Sequence, residues 1–263
     1  VTAETQKDNL KIGALEKGFR VLDAFTTNQH ELGLSEIVEI TGLSKSSAQQ
    51  YTHTLHKLGY LNKNPQSRRY SLSHRVLRPA HAFLSANRLV ERATPHVTEL
   101  RREFKNRTGF GLHDDLEVVY LIALQSNRTV FATAHPGLRI PGYCTAAGHS
   151  ILAFLPEDIA GDIIARSNRV KRTELTVIDS DKIMDSIREA RAQGFAMLKN
   201  EFNPNEINLA APVFDTDGTP IAAITSISKV DDWPEGRLTE ELIPALAEAA
   251  RAISFQDRRT VSE

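Results

Sequence analysis

From Ile40 to Val90 the chain contains no aspartate or glutamate, and inside that interval SKSSAQQYTHTLHKLGYL (44–61) has the spacing of a helix. The combination restricts what this region can become. An exposed helix ordinarily mixes Glu with Lys, since both are good helix formers and pair at i,i+4. This helix forgoes that support, in an interval that keeps Lys45, Lys57, Lys63, Arg68, Arg69, Arg75, Arg78 and Arg88. A basic, acid-free face of this kind is the electrostatic footprint of a surface that meets a polyanion.

Helix punctuation organises the region further. LEKGFRVLDAF places Leu15, Phe19, Leu22 and Phe25 at helical spacing. GLSEIVEITGLS follows, with Ser35 as a cap and Ile37, Val38 and Ile40 on a short helix that stops at Thr41-Gly42-Leu43. Ser44 caps the next helix, which runs to about Leu58 and closes at Gly59. Two short helices across a tight glycine turn outline a helix-turn-helix.

At 100° per residue, Ala48, Tyr51, Leu55 and Leu58 share one side of the second helix and are expected to pack inward. Ser46, Gln49, Gln50, His53 and Lys57 share the other. Gln pairs bidentately with adenine, Ser bonds several base edges, and Lys serves guanine or phosphate. Lys45, Ser46, Gln49 and Gln50, near the N-terminal end, are best placed for the major groove, and Ser44 at that end is expected among the DNA contacts with them. Beyond Gly59, Tyr60-Leu61 and Tyr70-Leu72 read as two short strands around NPQS, with Arg68 and Arg69 on the return. A basic hairpin after a recognition helix makes the outline a winged helix-turn-helix, its arginines facing phosphate or the minor groove.

A length of 263 residues allows about two domains, and the charge supports a division. Net charge is -1, but residues 1–90 hold 12 Lys/Arg against 7 Asp/Glu, while residues 91–263 hold 20 against 26. The expected domains are 1–75, a 76–90 linker helix, and 91–257. In the linker region Pro79 interrupts helix and Thr94-Pro95 restarts it, with Leu89, Ala93, Val97, Leu100 and Phe104 as an apolar stripe suited to a dimer contact. From Gly109 the period changes. FGLHDDLEVVYLIALQ reads as two strands around Asp114-Asp115, and RTVFATAHPGLRIPGY as a strand and a loop. TAAGHSILAFLPEDIAGDIIA and SDKIMDSIREARAQG are helical. INLAAPVFDTDGTPIAAITSIS is a hairpin turning at Asp215–Gly218, and a helix closes from about Thr239 to Phe255.

The small polar residues of this second domain mark a pocket. Thr145, Ala146 and Ala147 begin a helix after a Pro/Gly-rich loop, where free N–H groups attract anions. Asn208, Thr225 and Ser226 interrupt apolar strands, as polar groups do in small-molecule sites.

These segments, with RRYSL, IPGYCTAAGHSILAFLP, IREARAQGFAM and LIPALAEAARAIS, resemble in order the IclR family of bacterial transcriptional regulators over about residues 12–256. The resemblance implies an α+β two-domain fold: a winged helix-turn-helix, a linker helix and a GAF-like α/β effector domain. It implies a homodimer or homotetramer that binds a double-stranded DNA operator and regulates a catabolic operon in response to a small-molecule effector, a carboxylate or an aromatic compound. It also puts Asn208 and Thr225 where the family's effector contacts lie. Two positions depart from the pattern: His149 replaces the lysine of TAxGK, and LKNEF keeps only Glu201 of a usually acidic run.

Other classes are weaker fits. The single cysteine, Cys144, excludes an internal disulfide and any cysteine zinc cluster. An enzyme would have to use Cys144 with His149 as nucleophile and base, without an evident orienting residue. A non-specific architectural DNA-binding protein would not need a second domain of sensor size. No cofactor or metal is expected. A polar start to the chain and the lack of any ~20-residue apolar run predict a cytoplasmic protein without membrane contact.

Overall fold

The structure, a computed structural model, describes residues 10–26, 28–126, 135–232 and 235–254. It divides into two compact units, Val1–Leu84 and Ser85–Glu263.

The first unit contains α1 (Gly13–Asp23), α2 (Leu34–Thr41), α3 (Lys45–Lys57), the antiparallel strands β1 (Leu61–Lys63) and β2 (Tyr70–Leu72), and all but the last two residues of α4 (Leu77–Ala86). Val21, Leu32, Ile37, Leu43, Ala48, Leu61 and Tyr70 form its core. Leu32 bridges Tyr70 and so adds an edge residue to the hairpin. Gly42, at φ 66°, ends α2 in the left-handed conformation that the tight turn requires. The start of α2 differs from the expectation. Gly33 is the residue before the first turn, and its N–H donates to Glu36 Oε2 at 2.7 Å, while Ser35 caps nothing. On α1 the expected stripe slips: Val21 is buried, whereas Leu15 and Phe19 are 60% and 57% exposed.

In the second unit α5 (Arg88–Phe104) leads into β3 (Arg107–Asp114), β4 (Glu117–Leu124) and β5 (Arg139–Pro141). Next come α6 (Ala146–Leu152), α7 (Glu157–Arg166), α8 (Ser180–Gln193), β6 (Ala196–Lys199), β7 (Glu206–Phe214) and β8 (Pro220–Lys229). A turn of helix, α9 (Glu235–Arg237), a π-turn (Leu238–Leu242) and α10 (Ile243–Ile253) complete it. The six strands form one antiparallel sheet, ordered β5-β4-β3-β8-β7-β6. α6 packs on one face, while α5 and α10 pack against each other and the sheet. The α5 stripe forms, but it packs on its own sheet and α10 rather than being left for a dimer contact, with Ala93, Val97, Leu100 and Phe104 buried within the chain; each of its larger side chains contributes roughly 1.5–3 kcal/mol.

The prolines behave otherwise than expected. Pro79 sits in the first turn of α4, where a missing N–H costs nothing. Pro95 lies inside α5, whose N-cap is Asn87: its side-chain oxygen accepts from Leu89 N at 2.9 Å and Val90 N at 3.3 Å. Thr94 is therefore no cap; its hydroxyl donates to Val90 O at 2.6 Å. Pro156 splits the first expected helix of the second unit into α6 and α7. The strand expected from 128 to 134 and the end of the closing helix at Phe255 lie outside the described residues.

Candidate functional site

α3 is set by Ser44, whose Oγ accepts from Ser47 N at 3.2 Å. Ser44 Oγ also donates to Ser47 Oγ at 3.0 Å, so this hydroxyl is spent on the cap. Inward, Ala48 and Thr52 are fully buried; the Thr52 hydroxyl donates to Ala48 O at 2.8 Å, which makes its burial tolerable. Tyr51 and Leu55 are half-buried, but Leu58 is 53% exposed because it lies beyond the last turn of α3. Outward, Lys45, Ser46, Gln49, Gln50, His53 and Lys57 are all exposed, and the helix carries no carboxylate.

The two hairpin arginines part company. Asn64 Oδ1 accepts from Gln66 N and Ser67 N, building the turn, and Arg68 completes it at φ 59° with its side chain exposed. Arg69 instead turns back to α2. Its Nη2 donates to Glu31 O at 2.8 Å and Glu36 Oε1 at 2.9 Å. The geometry thus gives Arg68 the solvent-facing position and engages Arg69 in holding the hairpin.

In the second unit a cavity of about 80 Å³ lies between the sheet and α6. Thr145, Ala146, Ala147, Asn208 and Thr225 line it, as do Arg107, Tyr120, Phe202 and Glu206. Strand register explains the selection. Asn208 pairs with Ile227, and Ala210 and Gly109 with Thr225, so side chains of alternate positions reach one face. Ser226 points the other way and accepts from Asn106 Nδ2 at 3.1 Å, which removes it from the cavity. The Thr145 hydroxyl is also occupied: it donates to Pro141 O at 2.7 Å and caps α6 by accepting from Gly148 N. Thr225 Oγ1 lies 3.3 Å from the Tyr120 hydroxyl, whose ionisation burial pushes to higher pH, so the phenol remains a donor. Asn208 Nδ2 is buried with no hydrogen-bond partner among the described residues.

Arg107, Tyr120 and Glu206 were not singled out by sequence. Tyr120 follows the alternation of a strand core, and Arg107 and Glu206 meet only across 99 positions, at 2.5 Å between Nη2 and Oε1. Neither has a local signature.

Cys144 and His149 do not assemble a nucleophile and base. Cys144 is fully buried, and burial pushes its thiol up to about 11. His149 Nε2 lies 2.7 Å from Tyr143 O and Nδ1 3.1 Å from Ser186 Oγ, so both ring nitrogens are engaged elsewhere. Among the described residues no group of His, Cys, Asp or Glu could hold a metal ion, and no helix is long and apolar enough to cross a membrane.

A helix-turn-helix with a basic hairpin, carried on one chain with a sheet-and-helix domain that encloses a mostly apolar cavity, defines the class of ligand-responsive DNA-binding regulators. The family models agree: the IclR helix-turn-helix domain matches residues 14–65, and the bacterial transcriptional regulator IclR C-terminal domain matches residues 81–255. The Pca regulon regulatory protein of Pseudomonas putida is 26% identical over 92% of this chain and 83% of its own length. The crystal structure of an IclR family transcriptional regulator from Brucella abortus matches with a TM-score of 0.81 at 26% identity, covering 94% of each chain. An IclR homolog from Microbacterium hydrocarbonoxydans, crystallised with 4-hydroxybenzoate, shares the fold with a TM-score of 0.75 at 20% identity over 92% of this chain and 97% of its own. The chain belongs to the IclR family of bacterial transcriptional regulators.

Proposed function

We propose that α3 reads the major groove of an operator through Ser46, Gln49, Gln50 and His53, with Lys45, Lys57 and Arg68 on the phosphates. The observation that carries this reading is the outward face of α3, exposed, capped at its N-terminal end by Ser44 and free of carboxylates. Asp or Glu there would be repelled by DNA, whereas Gln and Ser match base edges and Lys releases counterions from the backbone. The chain acts as a homodimer or homotetramer, presenting two such helices to paired half-sites about one helical turn apart. Exposed Leu15 and Phe19 on α1, with Leu77 and Phe83 on α4 at 63% and 50% exposure, supply apolar surface for a second copy.

The effector is a small metabolite of a catabolic pathway held in the cleft beside α6, where Asn208, Thr225 and the backbone of Ala146 and Ala147 surround it. The mostly apolar lining of the cleft suits a ring compound, in keeping with the 4-hydroxybenzoate bound by the Microbacterium hydrocarbonoxydans homolog. By binding one conformation more tightly than another, the effector shifts the population toward or away from the DNA-competent state.

Binding to a duplex from the chain's own upstream promoter region, compared with scrambled DNA at physiological salt, tests the reading. A preference of ~10³-fold or more supports sequence-specific regulation. Equal affinity for both duplexes, unchanged by any small aromatic compound, would favour an architectural DNA-binding protein instead.

A further inference from the structure

We propose that Phe202 sets the upper size limit of the effector: its ring is the movable wall of the cavity, and Arg172 holds that wall in. The inference rests on the cavity being the effector site, with the polar end of the ligand at Asn208 and the backbone of Ala146 and Ala147. It concerns the room left for the body of the molecule.

The cavity measures about 80 Å³, well below the ~300–1,000 Å³ of sites that enclose small organic ligands. A ring compound therefore needs one wall to give way, and the lining offers little choice. Tyr120 is buried on β4, with its hydroxyl 3.3 Å from Thr225 Oγ1. Ile140, Asn208 and Thr225 also stand on paired strands. Leu138 leads into β5 and accepts from Tyr120 N through its carbonyl at 2.9 Å. Shifting any of these disturbs the sheet. Phe202 is the other aromatic side chain of the lining, and it lies on the loop between β6 and β7.

The ends of that loop are fixed, while Phe202 itself is held by a weaker contact. Asn200 N donates to Glu206 O at 2.8 Å, and Asn200 and Asn205 both take the left-handed conformation, at φ 62° and 59°. Asparagine adopts it more readily than most residues. From the segment before α8, Thr173 Oγ1 donates to Asn200 O and Thr176 Oγ1 to Glu201 O, each at 2.6 Å. The backbone is thus anchored as far as Glu201. The Phe202 ring beyond it is only partly buried, and the Arg172 guanidinium stands 4.1 Å from its centroid. A cation over an aromatic face is attractive, but Arg172 is exposed, so water competes for the guanidinium and the hold is modest. A ring kept in by such a contact excludes bulky ligands and yields to one whose own contacts outweigh the stack. The two positions differ by a side-chain rotation, and the ligand selects the open one.

Calorimetric titration of the full chain at pH 7.5 reads the limit with a matched pair of acids, 4-hydroxybenzoate with one ring and 6-hydroxy-2-naphthoate with two. Wild type should bind the one-ring acid ~50-fold more tightly, because the wall clashes with the larger body. Phe202→Ala should narrow that gap to about fivefold or less by gaining affinity for the naphthoate. Should that variant not fold, Phe202→Val serves, with the same sign. Arg172→Ala removes the restraint and keeps the ring, and should tighten 4-hydroxybenzoate about two- to fivefold. Equal binding of the two acids by wild type, or a naphthoate still excluded by Phe202→Ala, overturns the size limit. A 4-hydroxybenzoate affinity unchanged or weakened in Arg172→Ala overturns the role of the stack. Ala147→Trp separates these failures from failure of the cavity reading. If binding survives it, the ligand sits elsewhere and the cavity reading fails; if it abolishes binding while the Phe202 variants behave as wild type, the cavity reading stands and the size limit is wrong. Binding of neither acid to wild type or Phe202→Ala at millimolar concentration overturns both.

Discussion

Arg69 Nη2 lies 2.8 Å from Glu36 Oε2, tying the hairpin to the helix that precedes the recognition helix. The pair explains why adjacent arginines of one hairpin loop have different fates. At φ 59° Arg68 turns the backbone so that its own side chain leaves the surface, and the next residue faces α2.

This separation predicts different losses. Arg68→Ala should lower the slope of log K against log[salt] by about 1, as expected for one phosphate contact. Arg69→Ala should leave that slope unchanged and act on the fold. The Arg69 guanidinium, and after it the Gly33 N–H, hold the Glu36 carboxyl below its usual range. The pair's contribution is therefore full above the unfolded carboxylate pKa of ~4.3 and is lost as pH falls through the depressed folded value. Both groups are well exposed, so the effect is small. Melting temperatures between pH 3 and 6 should show a shallower acid decline in Arg69→Ala than in wild type. Superimposable profiles, or a salt slope reduced by Arg69→Ala, would return Arg69 to the phosphate-binding set.

A second test concerns base reading. Gln49 is exposed one turn from the start of α3, where a recognition helix enters the groove. Gln49→Ala should cost ~1–3 kcal/mol on the operator and leave scrambled-duplex affinity unchanged. Equal losses on both DNAs would mean that Gln49 touches backbone only.

Much of this was legible in sequence wherever the signal was local. Gly42 and Ser44 mark the turn and cap because left-handed φ and an N-cap oxygen each demand particular residues. The strands from Gly109 onward announce themselves by alternation, Thr145 by the helix start after a Pro/Gly-rich loop, and Asn208 and Thr225 by polar breaks in apolar runs. Three kinds of information were not local. Whether Thr225 or Ser226 faces the cavity depends on pairing register, since a slip of one residue reverses every side chain. The Arg107–Glu206 pair joins distant strands. The inward turn of Arg69 depends on Glu36, which sits 33 positions away. Pro95 shows a fourth case, in which tertiary packing of the α5 stripe outweighs a residue that would end an isolated helix.

The wall of the cavity depends on a backbone approach that admits no side chain. A Cβ on Gly148 would sit 2.2 Å from Gly142 O and 2.3 Å from Gly142 Cα. Neither atom can move without shifting the loop that leads into α6, so Gly148→Ala should destabilise the second unit by ~1–3 kcal/mol or more. Gly161→Ala on α7 is the control, because nothing lies within 4 Å of its added carbon. That change should be neutral or stabilise by up to ~1 kcal/mol through helix propensity. Urea midpoints of the two variants should move in opposite directions or differ widely; equal midpoints would show that the α6 contact gives way easily.

The last prediction concerns His149, the residue that stands in place of a lysine. Tyr143 O can only accept, so Nε2 carries the proton, and Nδ1 must accept from Ser186 Oγ. The ring is thus held neutral, joining α6 to α8, and burial lowers its pKa to about 4. With a folded value below the unfolded ~6.5, the unfolded chain binds the proton first as pH falls. The contribution of the neutral ring is therefore complete above pH ~6.5 and is lost progressively toward pH 4. Between pH 7.5 and 5 this amounts to ~2 kcal/mol. His149→Gln removes the titration, so its unfolding free energy should fall by about that much less over the same interval, whatever its stability at pH 7.5. Urea unfolding of both proteins at the two pH values measures the difference. Parallel losses would mean that the imidazole is not held neutral inside the fold, and that the His149–Ser186 contact forms with a charged ring.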